Sequence, residues 1–126
     1  MTFVDTDIVI DIYRGYNPSI EWKNQIQDKI IISGYTGLEL INGCINSKDL
    51  NKIKKLLNTY SLVWTSEEAC HEAFNTFSKL KLKTGIDFVD CLIGHAAVEL
   101  DLPLYTFNKK HYKNIPKLKT IQQYKK

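Results

Sequence analysis

Three acidic residues in this chain stand where carboxylates could act together: Asp5, Glu39 and Asp90. Each falls at or near the start of a segment with helical spacing, where exposed backbone N–H groups stabilise negative charge. If those three helix starts converge at one edge of a sheet, the carboxylates repel one another and need protons or a cation. Clustered carboxylate oxygens, with no Cys or His ligand spacing nearby, suit Mg²⁺ or Mn²⁺ rather than zinc. Each acid also has a purely structural explanation. Asp5 suits a helix N-cap, and Thr36-x-x-Glu39 has the form of a capping box, as does Thr65-x-x-Glu68. Asp90 would be the third residue of a helix capped by Asp87. Asp7 and Asp11 read as helix acids; an acid in the first turn suits the macrodipole. Convergence is what separates chemistry from capping.

The elements that must position these acids follow from hydrophobic spacing. Thr2-Phe3-Val4 is a short apolar strand ending at Asp5. A helix follows through Ile8, Val9, Ile12 and Tyr13, stopped by Gly15 and Asn17-Pro18. A short helix is expected over Ser19 to Gln27 with Ile20 and Ile26 inward, then a strand over Lys29 to Ser33. Thr36 to Cys44 reads as a helix with Leu38, Ile41 and Ile45 on one side. Leu50, Ile53, Leu56, Leu57 and Tyr60 form another helical stripe, and Ser61 to Trp64 a third strand. Thr65 and Ser66 cap a helix burying Ala69, Cys70, Ala73, Phe74, Phe77 and Leu80, which ends at Thr84-Gly85. Asp87 to Leu100 is helical, Leu104 to Thr106 a fourth strand, and Leu118 to Ile121 a candidate fifth. Continuously apolar strands alternating with amphipathic helices imply a parallel sheet covered on both faces. Ligands in such folds sit beyond the carboxyl ends of the strands, which singles out Asp5 and the segment after Thr106.

The chain has 126 residues, 44% apolar and 25% charged, which suits one domain over 1–126 with its own core. No internal repeat, linker or membrane-length apolar run interrupts it, and the N-terminus lacks a signal-peptide pattern. Cys44, Cys70 and Cys91 are odd in number and widely spaced, which fits free thiols in the cytoplasm. The net charge of +3 is unevenly placed. Residues 109–126 carry seven lysines and no acid, leaving ten basic against fourteen acidic residues in 1–108. Such a basic stretch is either a solvated tail or a guide for a phosphate backbone. The histidines form no metal pattern: His71 is expected on an exposed helix side and His95 off the apolar stripe. His111, just past the fourth strand, is placed to touch a substrate. Trp22 and Trp64 read as core or interface residues.

Four segments together carry a family resemblance: Phe3-Val-Asp5-Thr6-Asp7-Ile-Val-Ile-Asp11, Thr36-Gly-Leu-Glu39-Leu-Ile-Asn-Gly43, Asp90-Cys-Leu-Ile-Gly-His-Ala-Ala97, and Leu104-Tyr-Thr106-Phe-Asn108-Lys-Lys-His111-Tyr112. In this order and at this length the chain resembles PIN-domain toxins of the VapC type. The resemblance implies a three-layer α/β/α fold with a mostly parallel sheet of four to five strands. It implies a Mg²⁺- or Mn²⁺-dependent endoribonuclease that is the toxin of a two-component system, paired with a VapB-type antitoxin, and a homodimer. By motif, Asp5, Glu39 and Asp90 match the family's metal-binding acids, with Glu39 acting directly or through water. The fourth corner departs from the pattern. Where relatives carry an acid in T-x-N-x-x-D-F, this chain offers Asn108 and His111, with Asp87 or Asp7 in reserve. One metal is therefore expected rather than two. Thr6, Lys109, Lys110, His111 and Lys113 are the expected RNA-positioning residues. Two rival readings are a catalytically inactive PIN domain that binds RNA or protein, and a phosphatase using Asp5-x-Asp7.

Overall fold

The structure, a computed structural model, describes residues 1–126. Its sheet has five strands, β1 (Thr2–Val4), β2 (Ile30–Ser33), β3 (Ser61–Val63), β4 (Leu104–Tyr105) and β5 (Thr120–Ile121), in the order β3-β2-β1-β4-β5. Every pairing is parallel. Between them run α1 (Thr6–Tyr13), α2 (Asn17–Gln25), α3 (Gly34–Asn42), α4 (Ser47–Leu57), α5 (Glu67–Thr84), α6 (Phe88–Leu100) and the short α7 (Lys109–Tyr112). No helix is long and apolar enough to cross a membrane.

Strand side chains alternate between faces, so neighbours in sequence serve different cores. Phe3, Ile31 and Leu104 join Ala73, Cys91, Ile93 and Ala97 under α5 and α6. Val4 and Ile32 join Ile8, Val9, Trp22, Ile53 and Leu57 under α1, α2 and α4. This is the three-layer α/β/α arrangement expected from continuously apolar strands. The chain runs outward from β1 to β2 and β3, then crosses to β4 on the other side of β1. The β1/β4 boundary is thus where strand order reverses, and the crevice beyond it is the favoured ligand position.

Several local expectations are corrected. The first helix ends at Tyr13, as expected, but the second begins at Asn17, ahead of the expected Ser19, with Pro18 in its first turn; proline tolerates that position because its missing N–H would be unpaired anyway. Helix α3 begins at Gly34, capped by the Ser33 hydroxyl, which accepts from the Tyr35 N–H. Thr36 therefore lies inside the helix, and the capping box with Glu39 does not form. Leu38, Ile41 and Ile45 are exposed, Ile45 at 87%. The inward face of α3 is instead made of Gly34, Thr36 and Gly37. A side chain at position 34 would collide with the Trp64 ring. At the next capping-box match, Ser66 is the cap, accepting from the Ala69 N–H. Phe74 is exposed and His95 is 7% exposed; the His95 ring is inside because its Nε2 pairs with the Thr76 hydroxyl at 2.7 Å. Gly85 closes α5 in the left-handed conformation, as expected.

Candidate carboxylate site

Asp5 ends β1 and caps α1. It is 2% exposed, and both oxygens are engaged: Oδ1 accepts from the Thr6 N–H and Oδ2 from the Thr106 hydroxyl, each at 2.8 Å. Thr106, fully buried beyond β4, also accepts from the Asn108 N–H at 3.0 Å. The two strand ends at the switch point are thereby locked together. Burial, then the nearby charge of Asp7, raises the Asp5 carboxyl from 3.8 to about 7.

Glu39 comes from α3 and accepts from the Thr6 hydroxyl at 2.9 Å. The Thr6 and Thr36 hydroxyl oxygens are 3.0 Å apart, so the residue after Asp5 fixes the second acid. Burial raises the Glu39 pKa, and the charges of Asp90 and Asp87 raise it further against the pull of the Thr6 bond. Asp90 lies in the first turn of α6. Its Oδ1 accepts from the Tyr112 hydroxyl at 3.2 Å, and its Oδ2 lies 3.4 Å from His111 Nδ1. Burial and the Asp87 charge push its pKa up, while Tyr112 and His111 draw it down. The charge of Asp90 bears on both Asp5 and Glu39. Asp5 caps α1 and Asp90 lies in the first turn of α6, whereas Glu39 lies in the second turn of α3, past the helix start expected for it.

The remaining candidates sort by what holds them. Asp87 stands at the N-cap of α6 but makes no side-chain capping bond; its charge instead bears on Glu39 and Asp90. Asp7 does cap backbone, accepting from the Ile8 N–H at 2.8 Å and the Phe107 N–H at 2.9 Å. Asp11 receives the Tyr124 hydroxyl at 2.7 Å and pairs with Lys126 at 3.1 Å, outside the cluster. Asn108 is exposed and makes no side-chain cap bond to α7. Helix α7 turns Tyr112 inward and leaves Lys109, Lys110 and His111 exposed, with Lys113 exposed just beyond. A cavity of about 560 Å³ lies elsewhere: Glu72, Thr76, His95, Glu99 and Asn114 line it, and Asp5, Glu39 and Asp90 do not.

No lysine or arginine pairs with Asp5, Glu39 or Asp90; among ion pairs only His111 reaches one of them. Burying carboxylates together without a counter-charge is unfavourable unless they take up protons or a cation. The side chains are not closed into a finished cage, since no three His, Cys, Asp or Glu groups meet closely enough for that. An all-oxygen donor set with raised pKa values is nonetheless the chemistry that fits a hard divalent ion.

Comparison with known proteins bears on this geometry. The family model described as PIN domain matches residues 2–118. The chain belongs to the PIN-domain family. A curated relative, "Ribonuclease VapC" of Rickettsia bellii (strain RML369-C), is 30% identical, spanning 94% of this chain and 92% of that protein. Among solved structures, VapBC-1 from nontypeable Haemophilus influenzae has a TM-score of 0.76 at 26% identity, covering 97% of each chain. DNA-bound VapBC from Salmonella typhimurium has a TM-score of 0.80 at 21% identity, covering 96% of this chain and 98% of that one. The resemblance to PIN domains of the VapC type thus extends over nearly the whole chain.

Two partners of the PIN-domain acids had no counterpart in the sequence reading. Thr106 bonds Asp5 and Tyr112 bonds Asp90. Thr106 was signalled only by its position at a strand end, and Tyr112 by nothing short of the packing of α7.

Proposed function

We propose that this PIN-domain protein is a divalent-metal-dependent endoribonuclease, the toxin of a two-component pair neutralised by a small VapB-type antitoxin. The observation that carries this reading is the set of acids near the β1/β4 switch point, buried Asp5, half-buried Asp90 and exposed Glu39, none paired with a lysine or arginine. The family membership and the name of the curated relative supply the reaction class. When bound, a divalent cation supplies Lewis acidity, acidifying a water and offsetting charge on the phosphoryl oxygens.

In this reading Asp5 and Asp90 are the direct ligands. Thr106 and the Thr6 N–H orient Asp5, and the Tyr112 hydroxyl orients Asp90. Glu39, held by Thr6, binds through water or positions the attacking water. Asn108 contacts a phosphate or a held water, and Asp87 contributes charge from the rim, in reserve as a further ligand. Lys109, Lys110 and Lys113 hold the RNA backbone, since phosphate contacts set register without specifying sequence. In-line attack leaves a 3′-hydroxyl and a 5′-phosphate. The structural likeness to VapBC-1 and VapBC motivates the antitoxin assignment, and a homodimer is the expected assembly. The three free cysteines suit a cytoplasmic location.

Cleavage of an RNA panel with Mg²⁺, Mn²⁺ and EDTA, using the native chain and Asp90→Asn, tests the proposal. Metal-dependent cleavage lost in Asp90→Asn is expected; cleavage that survives EDTA would overturn it. The phosphatase alternative is disfavoured because both oxygens of Asp7 are engaged by backbone N–H groups. The departure at His111 favours the inactive-module alternative, and RNA binding without any cleavage would support it.

A further inference from the structure

The stretch that carries Asn108 and the lysines of α7 is weakly built. Strands β4 and β5, which bracket it, have two residues each, and α7 between them has four. Short elements with few bonds of their own open first. Tyr112 pins the far end of the stretch in the core; its near end turns on Phe107. The Phe107 N–H donates to Asp7 Oδ2 at 2.9 Å. Its ring meets Tyr124 edge to face, with centroids 4.7 Å apart, and Lys126, whose Nζ stands 4.8 Å from the ring centre. A cation over an aromatic face is attracted by the ring's quadrupole.

Because the pairings are parallel, β5 ends at the same sheet edge as β1 and β4. Residues 122–126 therefore emerge beside the site and cross over Phe107 toward α1 and α2. There Asp11 is a post for two side chains: it accepts the Tyr124 hydroxyl at 2.7 Å and pairs with Lys126 at 3.1 Å. The Asp11 side chain is only 14% exposed, so the pairing is less screened than one on open surface. Trp22 and Tyr16 flank the Tyr124 ring, with centroids 6.1 and 6.2 Å away. Asp7 and Asp11 lie one turn apart on α1 and so share a face. Helix α1 thus grips Phe107 twice, directly through Asp7 and indirectly through the crossing segment. The same helix is capped by Asp5, so this strap ties the lysine-bearing stretch to the element that positions the first acid.

Resting on the endoribonuclease reading above, we propose that Tyr124 and Lys126 are substrate-positioning residues: they strap Phe107 to α1 and so hold residues 108–113 in register for the RNA backbone. Neither touches the substrate; each acts through Phe107. Loosening the strap lowers the fraction of chains with the lysines in place. That weakens the hold on ground state and transition state alike, and so raises KM more than it lowers kcat.

The test compares the native chain with Tyr124→Phe, Lys126→Arg and the double variant Tyr124→Ala/Lys126→Ala. Each is followed by amide hydrogen exchange, by RNA-cleavage kinetics with Mg²⁺ and by its unfolding midpoint. In the double variant, exchange over residues 106–113 should speed up about tenfold or more, the scale of losing a hydrogen bond to a charged group, with β1 and β2 unchanged. KM for RNA should rise about tenfold while kcat stays within about twofold of native. Lys126→Arg keeps the cation and should match the native chain; Tyr124→Phe keeps the ring and should fall between. Should the double variant not fold, Tyr124→Phe carries the same two readouts. A raised KM with native exchange over residues 106–113 would overturn the inference and make Lys126 a direct RNA contact. Native kinetics in a folded double variant would also overturn it and reduce the segment to core packing. No RNA cleavage by the native chain would instead overturn the endoribonuclease reading, and the exchange comparison would still decide whether the strap holds Phe107.

Discussion

Asp5→Asn separates what the buried carboxylate does for stability from what it does for chemistry. Asparagine keeps the shape and an oxygen for the Thr6 N–H, but it carries no charge into the site. The native carboxyl is raised from 3.8 to about 7, chiefly by burial. At 1.36 kcal/mol per unit, that shift corresponds to a ceiling of about 4 kcal/mol. Below pH 3.8 the group is neutral in both folded and unfolded chains and costs nothing. Between pH 4 and 7 the unfolded chain releases the proton while the folded chain retains it, so native stability falls as pH rises. Above pH 7 the full cost is present. Urea unfolding of both proteins in EDTA from pH 4 to 8 should therefore show Asp5→Asn gaining on the native chain by up to about 4 kcal/mol. Comparing the two proteins at each pH largely cancels titrations they share. Saturating Mn²⁺ at pH 8 should restore much of the native stability, by about 2.7 kcal/mol at a hundredfold excess over Kd, and much less of the variant's. A stability difference that stays flat from pH 4 to 8 would refute the claim that Asp5 is an uncompensated buried acid.

Other substitutions probe the supports. Thr106→Val removes a hydroxyl that donates to Asp5 and accepts from the Asn108 N–H; unfolding should show a loss of about 1–3 kcal/mol, with RNA cleavage reduced alongside. Gly94→Ala would bring a methyl to 2.6 Å from Ile115 Cδ1; overpacking there should cost about 1–3 kcal/mol by chemical denaturation, and an unchanged midpoint would mean the C-terminal segment yields freely. Neutralising Lys109, Lys110 and Lys113 together should weaken RNA binding and flatten its dependence on salt by up to about two units of log–log slope, measured by filter binding across salt concentrations. Thr6→Ala frees Glu39 from its hydroxyl bond; RNA cleavage, measured at saturating substrate, should drop.

The strands were legible because each is short, apolar and bounded, and a sheet buried on both faces requires that composition. Six of the seven helices were legible, though not always in orientation, and the short α7 was not expected. Spacing tells which side of a helix is apolar, and it does not tell which side meets the sheet. Helix α3 shows the difference: Leu38 and Ile41 mark an apolar stripe, yet Gly34, Thr36 and Gly37 face inward, and at Gly34 the Trp64 ring leaves no room for a side chain. His95 was misjudged for the complementary reason. Its partner Thr76 lies nineteen positions earlier on α5, and the pairing exists only once α5 and α6 pack together. Asp5 and Asp90 do lie at helix starts, Glu39 lies a turn further in, and the partners of the hydroxyls were not legible, since a threonine or tyrosine carries no signal of its partner.

The contrast between Asp5 and Asp7 bears on whether capping and catalysis compete. Both sit at the start of α1 and both bind backbone; Asp7 acts on Asp5 by charge, and Asp5 in addition feels the charge of Asp90. A carboxylate has roughly four acceptor positions, so two short bonds leave capacity for a cation if they leave a free edge toward the cleft. Asp7 spends its bonds on Ile8 and Phe107 and stitches α1 to the segment beyond β4. Asp5 receives one backbone bond and one hydroxyl bond at the switch point, within the field of Asp90. Asp90 is held by side chains alone, and Asp87 keeps the capping position without its bond. Capping therefore supplies the rigid end of the site, and the acids relieved of capping supply its charge. The helix starts serve both ends because the field that favours a capping carboxylate also lowers the cost of gathering several at one sheet edge.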